Sequence, residues 1–216
     1  MRKTLLIIIL SILTHSINAA DVYIGPKIGL NASTFKLSNV SAADQVYFKE
    51  YKKFYVGPNV GLDFLFKINN YVALQTELNF TMKGIKYKYK DNYSFDRYMQ
   101  LDVPIICKGG YGKDNWFVYG SFGTDVSVNL IHDYVEKVAS NPRTKERIGF
   151  KYTSRVDFGI AMGVGGMYKL GKGSLDVELR GNIGLINQDK FPGETSKLKW
   201  RSLSFNVAYL LPLWNK

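Results

Sequence analysis

Asp102, Asp176, Glu178 and Arg180 are the residues of this chain whose types could move a proton or an ion, because carboxylates held beside a cation can do acid–base work. Three of them occupy alternate positions in Asp176-Val177-Glu178-Leu179-Arg180. In an extended chain that spacing puts all three on one side and Val177 and Leu179 on the other. So regular a period argues for a structural network over a relay. A second candidate is His132, which with the nearby Asp133 and Ser140 could form a nucleophilic set of the kind used by membrane-bound lipid acyltransferases and esterases. No motif fixes those groups, and the chain is read as no enzyme. Cys107 is the single cysteine, so neither an intrachain disulfide nor a cysteine zinc site can form. Gly163 to Gly166 fall inside a strand pattern and not before a helix, so no phosphate loop, metal or cofactor is expected.

The elements that must position these groups follow from the same alternation. From Leu175 to Leu185 every second residue is apolar or Gly, and Asp176, Glu178, Arg180 and Asn182 lie between. Comparable runs cover 22–32, 54–68, 71–83, 98–109, 116–130, 155–170 and 202–214. With no helix foreseen to cover a greasy sheet face, the pattern fits an all-β, antiparallel up-and-down transmembrane β-barrel of about eight strands, apolar toward lipid and polar within. Tight links at Asn69-Asn70, Gly112 to Asn115 and Gly171 to Gly173 alternate with longer connections. Short periplasmic turns and longer outer loops result. Aromatics near the strand ends suggest two girdles: Phe66, Tyr71, Tyr111, Trp116, Tyr168 and Trp214 at the short turns, and Phe35, Phe54, Tyr87, Tyr98, Tyr152 and Trp200 at the long loops.

Carried around the ring, the alternation puts Lys27, Asp63, Glu77, Lys83, Asp102, Lys108, Asp125, Arg155, Asp157, Asp176, Glu178 and Arg180 inside. A barrel of about eight strands has room only for side chains, so acids and bases should pair as a buried network and plug the lumen. The outer connections carry Lys49, Lys52, Lys53, Lys86, Lys88, Lys90, Arg143, Lys145, Arg147, Lys190, Lys197 and Lys199. Such a rim reads equally as a solvated basic surface or as a contact for outer-membrane lipid, lipopolysaccharide phosphates in particular, or for a protein or glycan partner.

The N-terminus carries Arg2 and Lys3, an apolar run from Leu5 to Leu13 and small residues ending at Ala19 and Ala20, which reads as a signal peptide over 1–20 followed by a barrel domain over 21–216. The formal charge is +11 over 216 residues. Export makes nucleic acid an unsuitable partner for so basic a chain. A mean hydropathy of -0.12 does not argue against membrane insertion, since half of each barrel strand is polar.

Gly25-Pro26-Lys27-Ile28-Gly29-Leu30-Asn31-Ala32-Ser33, Gly57-Pro58-Asn59-Val60-Gly61-Leu62, Glu77-Leu78 with Lys83-Gly84, and Tyr98-Met99-Gln100-Leu101-Asp102-Val103-Pro104 followed by Lys108 resemble the outer-membrane β-barrel domain of the PorT family, common in the Bacteroidota. Asp102 stands where the family element has Glu. The resemblance extends over the mature chain and implies an integral outer-membrane protein of the small-barrel or porin type; it has no motif that carries an activity. The leading expectation is therefore a structural or surface-interaction barrel acting through its basic outer loops. The alternatives are a secretion or transport accessory and a lipid-modifying enzyme. A soluble lipocalin-like carrier would need an apolar interior, which the charged row excludes.

Overall fold

The computed structural model describes residues 21–89, 92–113, 115–138, 142–190 and 196–214. The leader expected over 1–20 and Ser140 lie outside these residues. The strands are β1 (Asp21–Ser38), β2 (Lys52–Lys67), β3 (Val72–Tyr89), β4 (Asn92–Lys113), β5 (Trp116–Lys137), β6 (Thr144–Arg147), β7 (Val156–Leu170), β8 (Gly173–Gly184) and β9 (Lys197–Trp214), with one helix, α1 (Ala42–Tyr51), between β1 and β2. Successive strands pair antiparallel, β9 returns to β1, and β4 pairs with β5, so the sheet closes. The short β6 bonds only to the outer part of β5, from Asp133↔Arg147 to Glu136↔Thr144, leaving β1–β5 and β7–β9 as an eight-stranded barrel. Closure matters physically because an open edge in hydrocarbon would leave unpaired backbone groups.

The period-two pattern turns into two surfaces. Ile28, Leu30, Val60, Phe80, Ile105, Phe122, Val164 and Phe205 stand out from the wall and are about half exposed or more, an apolar band that only lipid can cover. Cys107 shares that outer face. Inward residues such as Lys27, Asp63, Glu77 and Lys108 are buried to within a few per cent. Asn69 shapes the β2–β3 turn by accepting the amides of Tyr71 and Val72, each at 2.8 Å, and Gly171 meets the left-handed backbone of the β7–β8 turn at φ 62°. Pro104 cannot donate to the ladder; the β3–β4 pairing is interrupted between Thr76↔Ile105 and Asn79↔Asp102 without a change of register, and Thr76 donates its hydroxyl to the Pro104 carbonyl at 3.1 Å.

Several elements differ from the sequence reading. β4 and β5 have 22 residues each, roughly 70 Å of extended chain, whereas about 9 to 11 residues cross a bilayer. Their outer halves, with that of β3, therefore stand above the membrane as one continuous ribbon, so the expected breaks after Lys83 and Leu130 are absent. Above the lipid no outward apolar row is required, and the sequence signal fades although the hydrogen-bonded ladder runs on. A bulge where Met99 and Gln100 face Ile131 and Asn129 reverses the parity of β5, so that His132 points inward after Asn129. Helix α1 occupies a polar gap in which no helix was foreseen. Arg155 is a correction: β7 begins one residue later, at Val156, and Arg155 is exposed, with its guanidinium over the Phe150 ring at 5.3 Å.

Candidate functional site

The bore is filled in three layers. At the short-turn end Leu65, Ala73, Phe117, Met167, Ala208 and Leu210 pack together, with Tyr119 above them. At the outer end Phe35, Ile85, Tyr98 and Trp200 form a second apolar layer, with Phe35 stacked on Trp200 at 3.7 Å between ring centroids. Three aromatics of the expected outer girdle, Phe35, Tyr98 and Trp200, are thus inside the barrel and not at the lipid boundary. Phe48 of α1 packs onto this layer from above, 5.9 Å from Tyr87. The girdle at the short turns is in place at Tyr71, Tyr111 and Trp116, whose rings succeed one another at 6.1 and 5.6 Å.

Between these layers lies the charged network. Arg180 on β8 reaches Glu77 on β3 with two nitrogens, at 2.9 and 2.6 Å, and bonds Glu178 on its own strand at 2.6 and 3.1 Å. Lys27 on β1 bridges Asp63 at 3.2 Å and also pairs with Glu77. Gln75 donates to Asp63 and Glu77, and Asn79 donates to Glu77. Lower down, Lys108 and the Tyr119 hydroxyl both donate to Asp176, at 2.5 and 2.6 Å, while Ser121 donates to Glu178 at 2.6 Å. Higher up, Lys83 lies 3.5 Å from Asp102 and 3.9 Å from Asp125, and Asp157 accepts the Phe158 amide. Of the residues assigned inward from the sequence, all but Arg155 are buried in this column. The sequence reading did not foresee that Gln75, Tyr119 and Ser121 join the network as neutral partners, though their inward parity was visible.

Glu77 is met by donors from β1 and from β8 on the opposite wall, and Glu178 by Ser121 of β5 and by Arg180 of its own strand, which is how buried charges remain tolerable in a dry interior. The cavity beside Lys83, Asp102 and Asp125 measures about 20 Å³, the space of a single water. Such packing holds strands together.

His132 and Asp133 part company at the bulge. The His132 ring stacks on Tyr98 at 4.0 Å, and Nε2 lies 3.2 Å from Asp96. Asp133 turns to Arg97 at 2.6 Å, Lys145 at 3.3 Å and Arg147 at 3.6 Å. Burial alone would raise its carboxyl, but hydrogen bonds from Arg97 and Lys145 prevail and hold it below the usual carboxylate value.

A second concavity of about 560 Å³ opens on the outer rim, beneath α1 and against the outward faces of β1, β2 and β9. Lys36, Lys49, Lys52 and Arg201 line it together with Phe54 and Leu203. Lys52 is fixed there by donating to the Phe35 carbonyl at 3.3 Å and by lying 4.9 Å from the centre of the Phe48 ring. Its ammonium is pushed below the ordinary lysine value by burial, then by Arg201 and Lys49. The sequence reading named Lys49 and Lys52 among the rim cations but not Lys36 or Arg201, which only the β1–β9 pairing brings beside them.

A closed antiparallel barrel with an apolar outer band, a charged and filled bore, short turns at one end and long loops at the other is a transmembrane β-barrel of an outer membrane. The chain belongs to the outer membrane protein beta-barrel domain family, whose model matches residues 16–190. Among solved structures it is similar to Ail, the attachment invasion locus protein of Yersinia pestis (11% identity, 88% of this chain and 99% of that one, TM-score 0.41). It is also similar to Neisserial surface protein A (14%, 87% and 96%, TM-score 0.43) and to OprG from Pseudomonas aeruginosa (12%, 90% and 97%, TM-score 0.48). At these identities the likeness is one of fold and goes no further. Comparison with curated proteins returns no match.

Proposed function

We propose that this outer-membrane barrel is a non-conducting, non-enzymatic surface protein that works through its basic outer structure, engaging an anionic partner at the cell surface. The carrying observation is the contrast between a bore filled by the Glu77–Arg180 network between two apolar layers and a rim that gathers cations around an open pocket. A filled bore favours the outside of the barrel as the working surface. The Asp96 contact and Tyr98 stacking of His132 support a packing role for that residue and weigh against the lipid-modifying alternative. Nothing in the bore favours the secretion-accessory alternative.

Within the family, the Leu101-Asp102-Val103-Pro104 element supports a place in the PorT branch of the Bacteroidota, and the N-terminal pattern supports export by a cleaved signal peptide. The test is capture of the intact barrel from native outer membranes with identification of what accompanies it. The expected companion is anionic and is released by salt, since exposed ion contacts are screened at high ionic strength. A companion that is neutral and indifferent to salt overturns the reading.

A further inference from the structure

We infer that the pocket beneath α1 is a binding site for the phosphorylated head of an acylated outer-leaflet glycolipid, with phosphate held by Lys36, Lys49, Lys52 and Arg201 and an acyl chain lying on Phe54 and Leu203. This deepens the proposed function and rests on it, naming one site and one ligand class within the basic rim.

Three independent features converge on the pocket. First, four cations line it, and among the described side chains no carboxylate lines it and no salt bridge engages any of the four. On the neighbouring ribbon one cation cluster does have a counter-ion: Arg97, Lys145 and Arg147 converge on Asp133. Cations gathered side by side repel one another, and the Lys52 ammonium is lowered first by burial and then by that repulsion from Arg201 and Lys49. A bound phosphate would remove it.

Second, the pocket is not a free-standing anion site, because its apolar wall runs on into the membrane. Phe54 is 65% and Leu203 51% exposed, and directly below them on the same outer face stand Val56, Leu30 and Phe205 of the lipid band. A ligand with a charged head and a hydrocarbon tail satisfies both parts at once; a soluble anion leaves Phe54 bare. Third, the volume of about 560 Å³ falls in the range of small-molecule sites and suits a sugar phosphate head. The position at the outer end of the apolar band is the depth at which lipid headgroups lie.

The test uses the full mature barrel in detergent, with fold checked by heat-modifiable gel mobility, and reads retained ligand by native mass spectrometry. The probes are bisphosphorylated lipid A, its fully dephosphorylated form and inorganic pyrophosphate. Wild type should prefer the bisphosphorylated lipid over both other probes. K36Q/R201Q should weaken that binding by about tenfold or more, as expected when charge-assisted contacts to phosphate are lost. Phe54→Ser should weaken lipid binding and leave pyrophosphate unaffected. The control K88Q/K190Q removes two rim cations outside the pocket and should change nothing.

Equal binding of the dephosphorylated lipid overturns the phosphate assignment, and pyrophosphate binding as tight as lipid A overturns the acyl contact. Should K88Q/K190Q weaken binding as much as K36Q/R201Q, the rim attracts anions diffusely: the pocket assignment fails and the broader surface reading stands. If wild type holds none of the probes at low salt, the pocket assignment fails, and the broader reading is then decided separately by what the capture from native membranes brings down.

Discussion

Arg180 on β8 and Glu77 on β3 form a two-pronged ion pair, 2.9 and 2.6 Å, between strands that stand on opposite sides of the eight-membered ring. Neighbouring strands are already joined by backbone ladders, whereas opposite walls of a barrel are joined only through what fills it. Lys27 from β1 meets the same Glu77, and Glu178 meets the same Arg180, so one acidic and one basic centre connect walls that share no backbone bond.

Replacing Glu77 with Gln therefore leaves Arg180 and Lys27 buried with too little counter-charge. We expect a loss of about 3 to 5 kcal/mol in reversible urea unfolding from lipid vesicles. The double variant E77L/R180M should be less destabilised than the sum of the single changes, because both charges leave together. Strict additivity would show that the pair does not couple the walls.

The bore should also be electrically silent. In planar bilayers the wild-type barrel is expected to give no large, stable conductance steps, and E77L/R180M should stay silent because the apolar layers around Phe117 and Trp200 still close both ends. Large steady steps from the wild type would show that the interior is not a plug.

Cys107 lies on the lipid face of β4, opposite Leu74 on β3 and Phe122 on β5, and Phe122 is 61% exposed. In vesicles its thiol should react with an apolar maleimide and resist a charged, membrane-impermeant one from either side. An engineered cysteine at Lys88, above the membrane on β3, should react with both. Rapid charged labelling of Cys107 would mean that the faces of the sheet are exchanged.

How far the sequence discloses this architecture depends on what each segment touches. Where a strand crosses lipid, one face must be apolar and the other polar, and Asp176, Glu178 and Arg180 could be placed inward from their spacing alone. Where β3, β4 and β5 rise above the membrane the outer face meets water in place of lipid and the inner face carries apolar residues such as Ile85 and Tyr98, so the apolar-out, polar-in alternation that identifies a strand is lost between Lys83 and Tyr98. Periodicity alone carries the β7 pattern one residue past its start and so points Arg155 inward, whereas the strand begins at Val156. The rim pocket was invisible for another reason. Lys36, Lys52 and Arg201 are distant in sequence, and only the closing β1–β9 and β1–β2 ladders place them together.

The ribbon above the membrane has a pH limit set by Asp133. Arg97 and Lys145 hold this carboxyl below its ordinary value against the opposing effect of burial. For an acid whose folded pKa is depressed, the stabilisation is fully present above the unfolded value of 3.8 and is lost as pH falls through the lower folded value. Protection of the β6 amides against hydrogen exchange, corrected for the intrinsic rate, should thus hold from about pH 7 down to about pH 5 and fail only below about pH 4. Asp133→Asn removes the anion at every pH, so its β6 protection should be lower by about tenfold near neutrality and should lack the acid step. High salt should weaken the exposed Lys145 and Arg147 contacts more than the shielded Arg97 bond, leaving part of the protection in place. A variant that keeps wild-type protection would show that β6 is held by its backbone ladder to β5 alone, with the three cations as bystanders.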